Sequence, residues 1–123
     1  MEKLVEIRDR KAMTDSLKVA EYFGMEHKAV IRNIGKCVKT LTAPRDSNGG
    51  TCAPVGVKNY FIRSGYIDKK GETRPKYYIT RDGFLMLVQR FSGERAYILQ
   101  LDFIDEFNKL NSLKRFNFNF KQF

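Results

Sequence analysis

His27, Lys28, Arg32, Asn33 and Lys36 lie close together, on the side of segment 26–36 opposite Val30, Ile31 and Ile34. Their shared chemistry is hydrogen bonding to fixed acceptors. A guanidinium grips guanine through two parallel bonds, a carboxamide pairs with adenine in the same way, and an ammonium neutralises phosphate. A second set, Arg63, Lys69, Lys70, Arg74 and Lys76, is gathered in segment 61–80 and suits phosphate rather than base edges. Any one of these residues also reads as a solvated surface charge, so the argument rests on the two clusters. His27, beside a turn, reads either as a phosphate or base contact or as a hydrogen bond that fixes the turn. Catalysis finds no comparable set. There is a single His, no Gly-rich phosphate loop and no Gly-x-Ser-x-Gly, and helical spacing splits Asp102, Asp105 and Glu106 between faces. The sequence therefore predicts a protein that is not an enzyme, with no cofactor and no metal.

Charge is distributed in a way that supports a polyanionic partner. The net charge is +9, with seven basic against two acidic side chains over 58–81 and three against five over 82–110. A field concentrated on one segment favours phosphate, because each neutralised phosphate releases counterions. A mean hydropathy of −0.46 and the lack of a long uncharged apolar run predict a soluble chain with no membrane span. Residues 1–7 carry no secretory pattern, which predicts a cytoplasmic location. Cys37, Cys52 and His27 are too few for a structural zinc, and a reducing cytosol predicts two unlinked thiols.

These groups must be carried by regular elements. Leu4–Ile7 and Ala12-Met13 flank a polar turn and predict a short hairpin. Asp15 or Ser16 caps a helix that ends at Gly24, and Val19, Ala20 and Phe23 line its inner face. A second helix spans 26–36. Two short helices joined by a Gly-containing turn are a helix-turn-helix signature. Residues 38–59 hold neither period and read as a long loop. Two aromatic and β-branched runs around Asp68–Arg74 predict a hairpin with a basic tip. Thr80 then caps a core helix, and Ser92-Gly93 separates it from a long helix over 94–113 whose stripe is Ala96, Leu99, Phe103 and Phe107, widened by Leu101 and Ile104. Phe116, Phe118 and Phe120 alternate with polar residues, so the last ten residues predict a strand or an interface. The sum is an α+β, winged-helix-like helix-turn-helix domain over 1–111 with a basic Phe-rich tail over 112–123. Its reading helix enters the major groove and its wing rests on phosphate.

Three ordered blocks carry a family resemblance. The first is Ser16-Leu17-Lys18-Val19-Ala20-Glu21, Phe23-Gly24, Glu26-His27-Lys28, Val30, Arg32 and Ile34. The second is Tyr66-Ile67-Asp68, Gly71, Arg74-Pro75, Tyr77 and Ile79-Thr80-Arg81-Asp82-Gly83-Phe84. The third is Phe91-Ser92-Gly93, Ala96, Ile104 and Phe107-Asn108. Together they resemble the phage regulatory protein Rha family across residues 4–111. The resemblance implies a phage- or prophage-encoded regulator in bacteria, expected to bind duplex DNA through its helix-turn-helix. It implies nothing for loop 38–59 or the tail. A homodimer is expected because two-fold operators favour dimers, with Phe103, Phe107, Phe116, Phe118 and Phe120 as candidate interface residues. The alternative is an inhibitor that engages a host protein, a repressor or a defence nuclease, through the same basic surface.

Overall fold

A computed structural model describes the backbone of residues 4–43 and 56–121, and the side chains of all of these except Arg95 and 112–121. Cys52 and most of the expected loop lie outside the described residues. The elements run β1 (Glu6–Arg8), β2 (Lys11–Asp15), α1 (Ser16–Phe23), α2 (His27–Thr42), a 3₁₀ turn (Val57–Asn59), β3 (Phe61–Ile67), β4 (Thr73–Thr80), α3 (Arg81–Val88) and α4 (Glu94–Lys121). The α+β class is as expected. The antiparallel sheet has the order β1-β2-β4-β3, so the amino-terminal hairpin and the basic hairpin join into one four-stranded sheet.

Each junction has a local cause. Asp9 and Arg10 both adopt left-handed backbone, with φ of 49° and 68°, and form the two-residue loop between paired Arg8 and Lys11. Such a loop matches the right-handed twist of the strands it joins. Strand β2 passes directly into α1 because Asp15 caps the helix, its carboxylate accepting from the Lys18 N–H at 2.8 Å. Gly24, at φ 65°, ends α1, and its N–H turns back to the carbonyls of Ala20 and Glu21.

Helix α2 continues beyond the expected end near Lys36 to Thr42. The reason is that Cys37 and Leu41 extend the inward face begun by Val30 and Ile34, and all four are buried. Extended backbone at Ala43 stops the helix, and Pro44, next in sequence, disfavours helical backbone in the residue before it.

The core gathers where the helices meet the sheet. Val19, Val30, Ile34, Ile79, Phe84, Leu87, Phe103 and Phe107 are fully enclosed. Phe103 stacks on Phe84 at 4.7 Å and on Phe23 at 5.7 Å between ring centroids, so α4 is held to α3 and α1 by aromatic contact. Phe103 and Phe107, expected as candidate interface residues, are thus enclosed in the core of this chain. Leu101, expected in the inward stripe, is 55% exposed instead, together with Tyr97 and Ile98. The backbone is helical as far as Lys121, so the strand expected from the alternating Phe residues is absent. Adding a residue to an existing helix supplies its own hydrogen bond, whereas a strand needs a partner. The side chains of Phe116, Phe118 and Phe120 lie outside the described set.

Thr80 and Gly83 seat α3 on the 3₁₀ turn. The Thr80 hydroxyl donates to the Asn59 carbonyl at 2.7 Å and accepts from the Gly83 N–H at 3.2 Å. A Cβ on Gly83 would stand 2.1 Å from the Tyr60 carbonyl oxygen, closer than any backbone can tolerate. Gly83→Ala is expected to cost about 3 kcal/mol, read as a lower urea midpoint at unchanged slope. Thr14 is the converse case: on β2 opposite Ile79, it buries a hydroxyl that has no partner among the described residues. Thr14→Val should raise stability by about 1 kcal/mol in the same measurement, since it removes a desolvated polar group at nearly constant volume.

Candidate nucleic-acid interface

One buried hydroxyl ties α2 to the hairpin. Ser16, the first residue of α1, is fully enclosed. Its Oγ accepts the Tyr77 N–H of β4 at 3.0 Å and lies 2.8 Å from His27 Nε2 at the start of α2. With Tyr77 donating in the first bond, the hydroxyl keeps its own proton to give, and a neutral His27 protonated on Nδ1 can accept it at Nε2. Burial lowers the His27 pKa below its ordinary value, and Lys76 adds to the shift while Asp15 opposes it. The ring also meets Tyr66 of β3 edge to face at 5.7 Å. His27 is thus hydrogen-bonded where α2 begins, beside the turn after Gly24.

The outward side of α2 is a basic crest. Lys28, Arg32, Lys36 and Lys39 recur at every third or fourth residue and are all exposed, while Asn33 and His27 sit lower on the flanks, half-buried. Lys39 was hidden in the expected loop. The signal that finds it is the apolar spacing of Val38 and Leu41, which carries the pattern of Val30 and Ile34 on past Gly35. Lys28 pairs with Glu26 at 3.4 Å, but both side chains are about three-quarters exposed and the pair contributes little. Among the described residues, Arg32, Lys36 and Lys39 have no acidic partner.

The hairpin cations divide into two groups. Arg74 bonds both Asp68 and Glu72 at 2.9 Å, and Asp68 also accepts the N–H groups of Lys70 and Glu72. Arg74, then the Glu72 backbone, hold the Asp68 carboxyl below its usual range. Lys76 is largely enclosed, 3.9 Å from Asp15 and 4.6 Å above the Tyr78 ring, whose centroid also lies 4.0 Å from the Arg8 guanidinium. Lys69, Lys70 and Arg63 are exposed. Between the start of α2 and the hairpin lies an open groove of about 500 Å³, lined by Glu26, His27, Lys28, Ile31, Tyr66, Arg74 and Pro75. The structure therefore brings the start of α2 and the hairpin side by side across one groove.

Away from this surface, Cys37 is buried and free, and burial raises its thiol pKa. No helix among the described residues is long and apolar enough to cross a membrane, and no group of three His, Cys, Asp or Glu among them could hold a metal ion.

The arrangement defines a small α+β domain with an outward basic helix crest fixed beside a cationic hairpin. The family model of the phage regulatory protein Rha matches residues 14–112, and the chain belongs to that family. A protein of Haemophilus influenzae described as uncharacterized is 30% identical over 108 residues, which cover 87% of this chain and 57% of that one. The chain thus spans little more than half the length of this relative. No solved structure matches it.

The His27 geometry predicts a pH effect. A histidine with a lowered pKa in the folded chain is neutral there, and the unfolded chain takes up its proton first. The stability it contributes is complete above its ordinary value of about 6.5 and is lost as the pH falls from there through the depressed value. His27→Gln keeps an acceptor for Ser16 and removes the titration. Its melting temperature should decline less than the wild type's below about pH 6.5; parallel declines would contradict the assignment.

Proposed function

We propose that the chain is a phage-encoded regulator that binds duplex DNA, with α1 and α2 acting as a helix-turn-helix and the β3–β4 hairpin as its wing. The observation that carries this reading is the crest of Lys28, Arg32, Lys36 and Lys39, exposed along the full length of α2 and free of strong internal ion pairs. A straight row of cations on one helix fits the major groove, where Arg32 is placed to read a guanine and the lysines to meet the flanking phosphates. Asn33, half-buried on the flank, is a secondary reader, and His27 positions the helix. Lys69, Lys70 and Arg63 supply the wing's phosphate contacts. Arg74 and Lys76 chiefly shape the hairpin, although Arg74 also borders the groove. A two-fold operator would call for a homodimer. Exposed Tyr97, Ile98 and Leu101 on α4 are the apolar side chains available for it, in place of buried Phe103 and Phe107.

The test is binding to labelled duplex DNA from upstream of the chain's own gene across a range of salt. Affinity should fall steeply as salt rises. Lys39→Ala and Lys69→Ala should each weaken all sequences alike and reduce the slope of log K against log salt by about 1, whereas Arg32→Ala should blunt sequence preference. Salt-insensitive capture of a host protein with no retention of duplex DNA would replace this reading with that of an inhibitor.

A further inference from the structure

Gly35 stands in the middle of α2, exposed, with nothing within 4 Å of the place a Cβ would occupy. Its backbone is ordinary helix, so neither a left-handed φ nor a close approach inside the chain calls for glycine here. Glycine nevertheless weakens a helix interior relative to alanine, because it has more backbone freedom to lose on folding. Within the described chain that destabilisation has no return.

Its surroundings supply one. On a helix surface the neighbours of a residue are those three and four positions away. For position 35 these are Arg32 and Lys39, both exposed, and half-buried Ile31 and Val38 on the other side. The crest of α2 thus has one bare spot bordered by two cations, with Lys36 next along the row. A side chain at this spot would hold the crest away from a rigid partner and lengthen the surrounding charge-assisted hydrogen bonds together. Without one, the helix backbone itself can touch the partner while the cations reach around it.

We propose that Gly35 is a close-approach point at which the backbone of α2 meets the sugar-phosphate wall of the groove, setting how deeply the crest seats and hence which side chains reach base edges. The inference rests on the duplex-DNA reading above. It makes Gly35 a positioning residue for recognition, not a structural one.

The test compares the full chain with its Gly35→Ala and Gly35→Gln variants in thermal melting and in salt-dependent binding to the same upstream duplex. Both substitutions favour helix, so both variants should melt roughly 3–5 °C higher. Binding should move the other way. Gly35→Ala should bind somewhat more weakly, and Gly35→Gln about tenfold more weakly with a shallower salt slope, since fewer phosphates are reached. If wild type binds duplex DNA and Gly35→Gln matches it in affinity and slope, the close-approach role is overturned and the DNA reading stands. A Gly35→Ala variant that melts lower than wild type would also overturn it, by showing that the fold itself needs the glycine. If wild type shows no salt-dependent binding, both readings fall.

Discussion

The hydroxyl of Ser16 is the constraint on which the interface depends. It is wholly removed from water, and a buried hydroxyl left without partners costs about 1–3 kcal/mol. Its two partners come from different elements, the backbone of β4 and the ring of α2. Meeting that demand fixes where α2 begins relative to the hairpin. Asp15, one residue earlier, caps α1 and faces Lys76, so two consecutive residues turn the chain from strand to helix and fasten three elements together. A charged His27 would be expensive at this point, which is why its depressed pKa belongs with the geometry.

A second, apolar anchor works from the opposite side. Rings from α1 and α3 converge on Phe103 of α4, and the Tyr22 hydroxyl donates to Asp102 at the same helix crossing, raising the phenol above its usual pKa. Burial of large aromatic side chains contributes roughly 2–3 kcal/mol each, so this cluster binds α1, α3 and α4 into one layer. The polar anchor sets position and the aromatic one supplies adhesion. Between them, the crest of α2 is left facing outward with its cations free.

The elements that announce themselves locally were legible in the sequence: the Asp15 cap, the Gly24 stop, the Thr80 cap and the alternation of both hairpins all follow from residue chemistry within a few positions. The family blocks were legible for the same reason. What could not be read was tertiary. Nothing near Lys76 or Arg74 says that one faces Asp15 across the fold and the other is gripped by its own turn, so the hairpin's free charge looked larger than it is. The last turns of α2, with Lys39 on them, were obscured because Gly35 and two threonines interrupt an apolar spacing that Cys37 and Leu41 continue. Phe103 and Phe107 show the limit of periodicity: a stripe on a helix is the same whether its own domain or another molecule covers it. Alternating Phe residues at the end of α4 misled because period two states a preference that an already growing helix overrides.

The seating of Gly83 against Tyr60 bears on how crest and hairpin are spaced. Helix α2 is anchored by Cys37 and Leu41 at one border of segment 44–55, and the 3₁₀ turn is clamped by Thr80 at the other. Both borders are therefore fixed by contacts that do not involve the residues between them. Crest and hairpin thus take their spacing from the sheet and the core, through contacts made by the described residues on either side of 44–55.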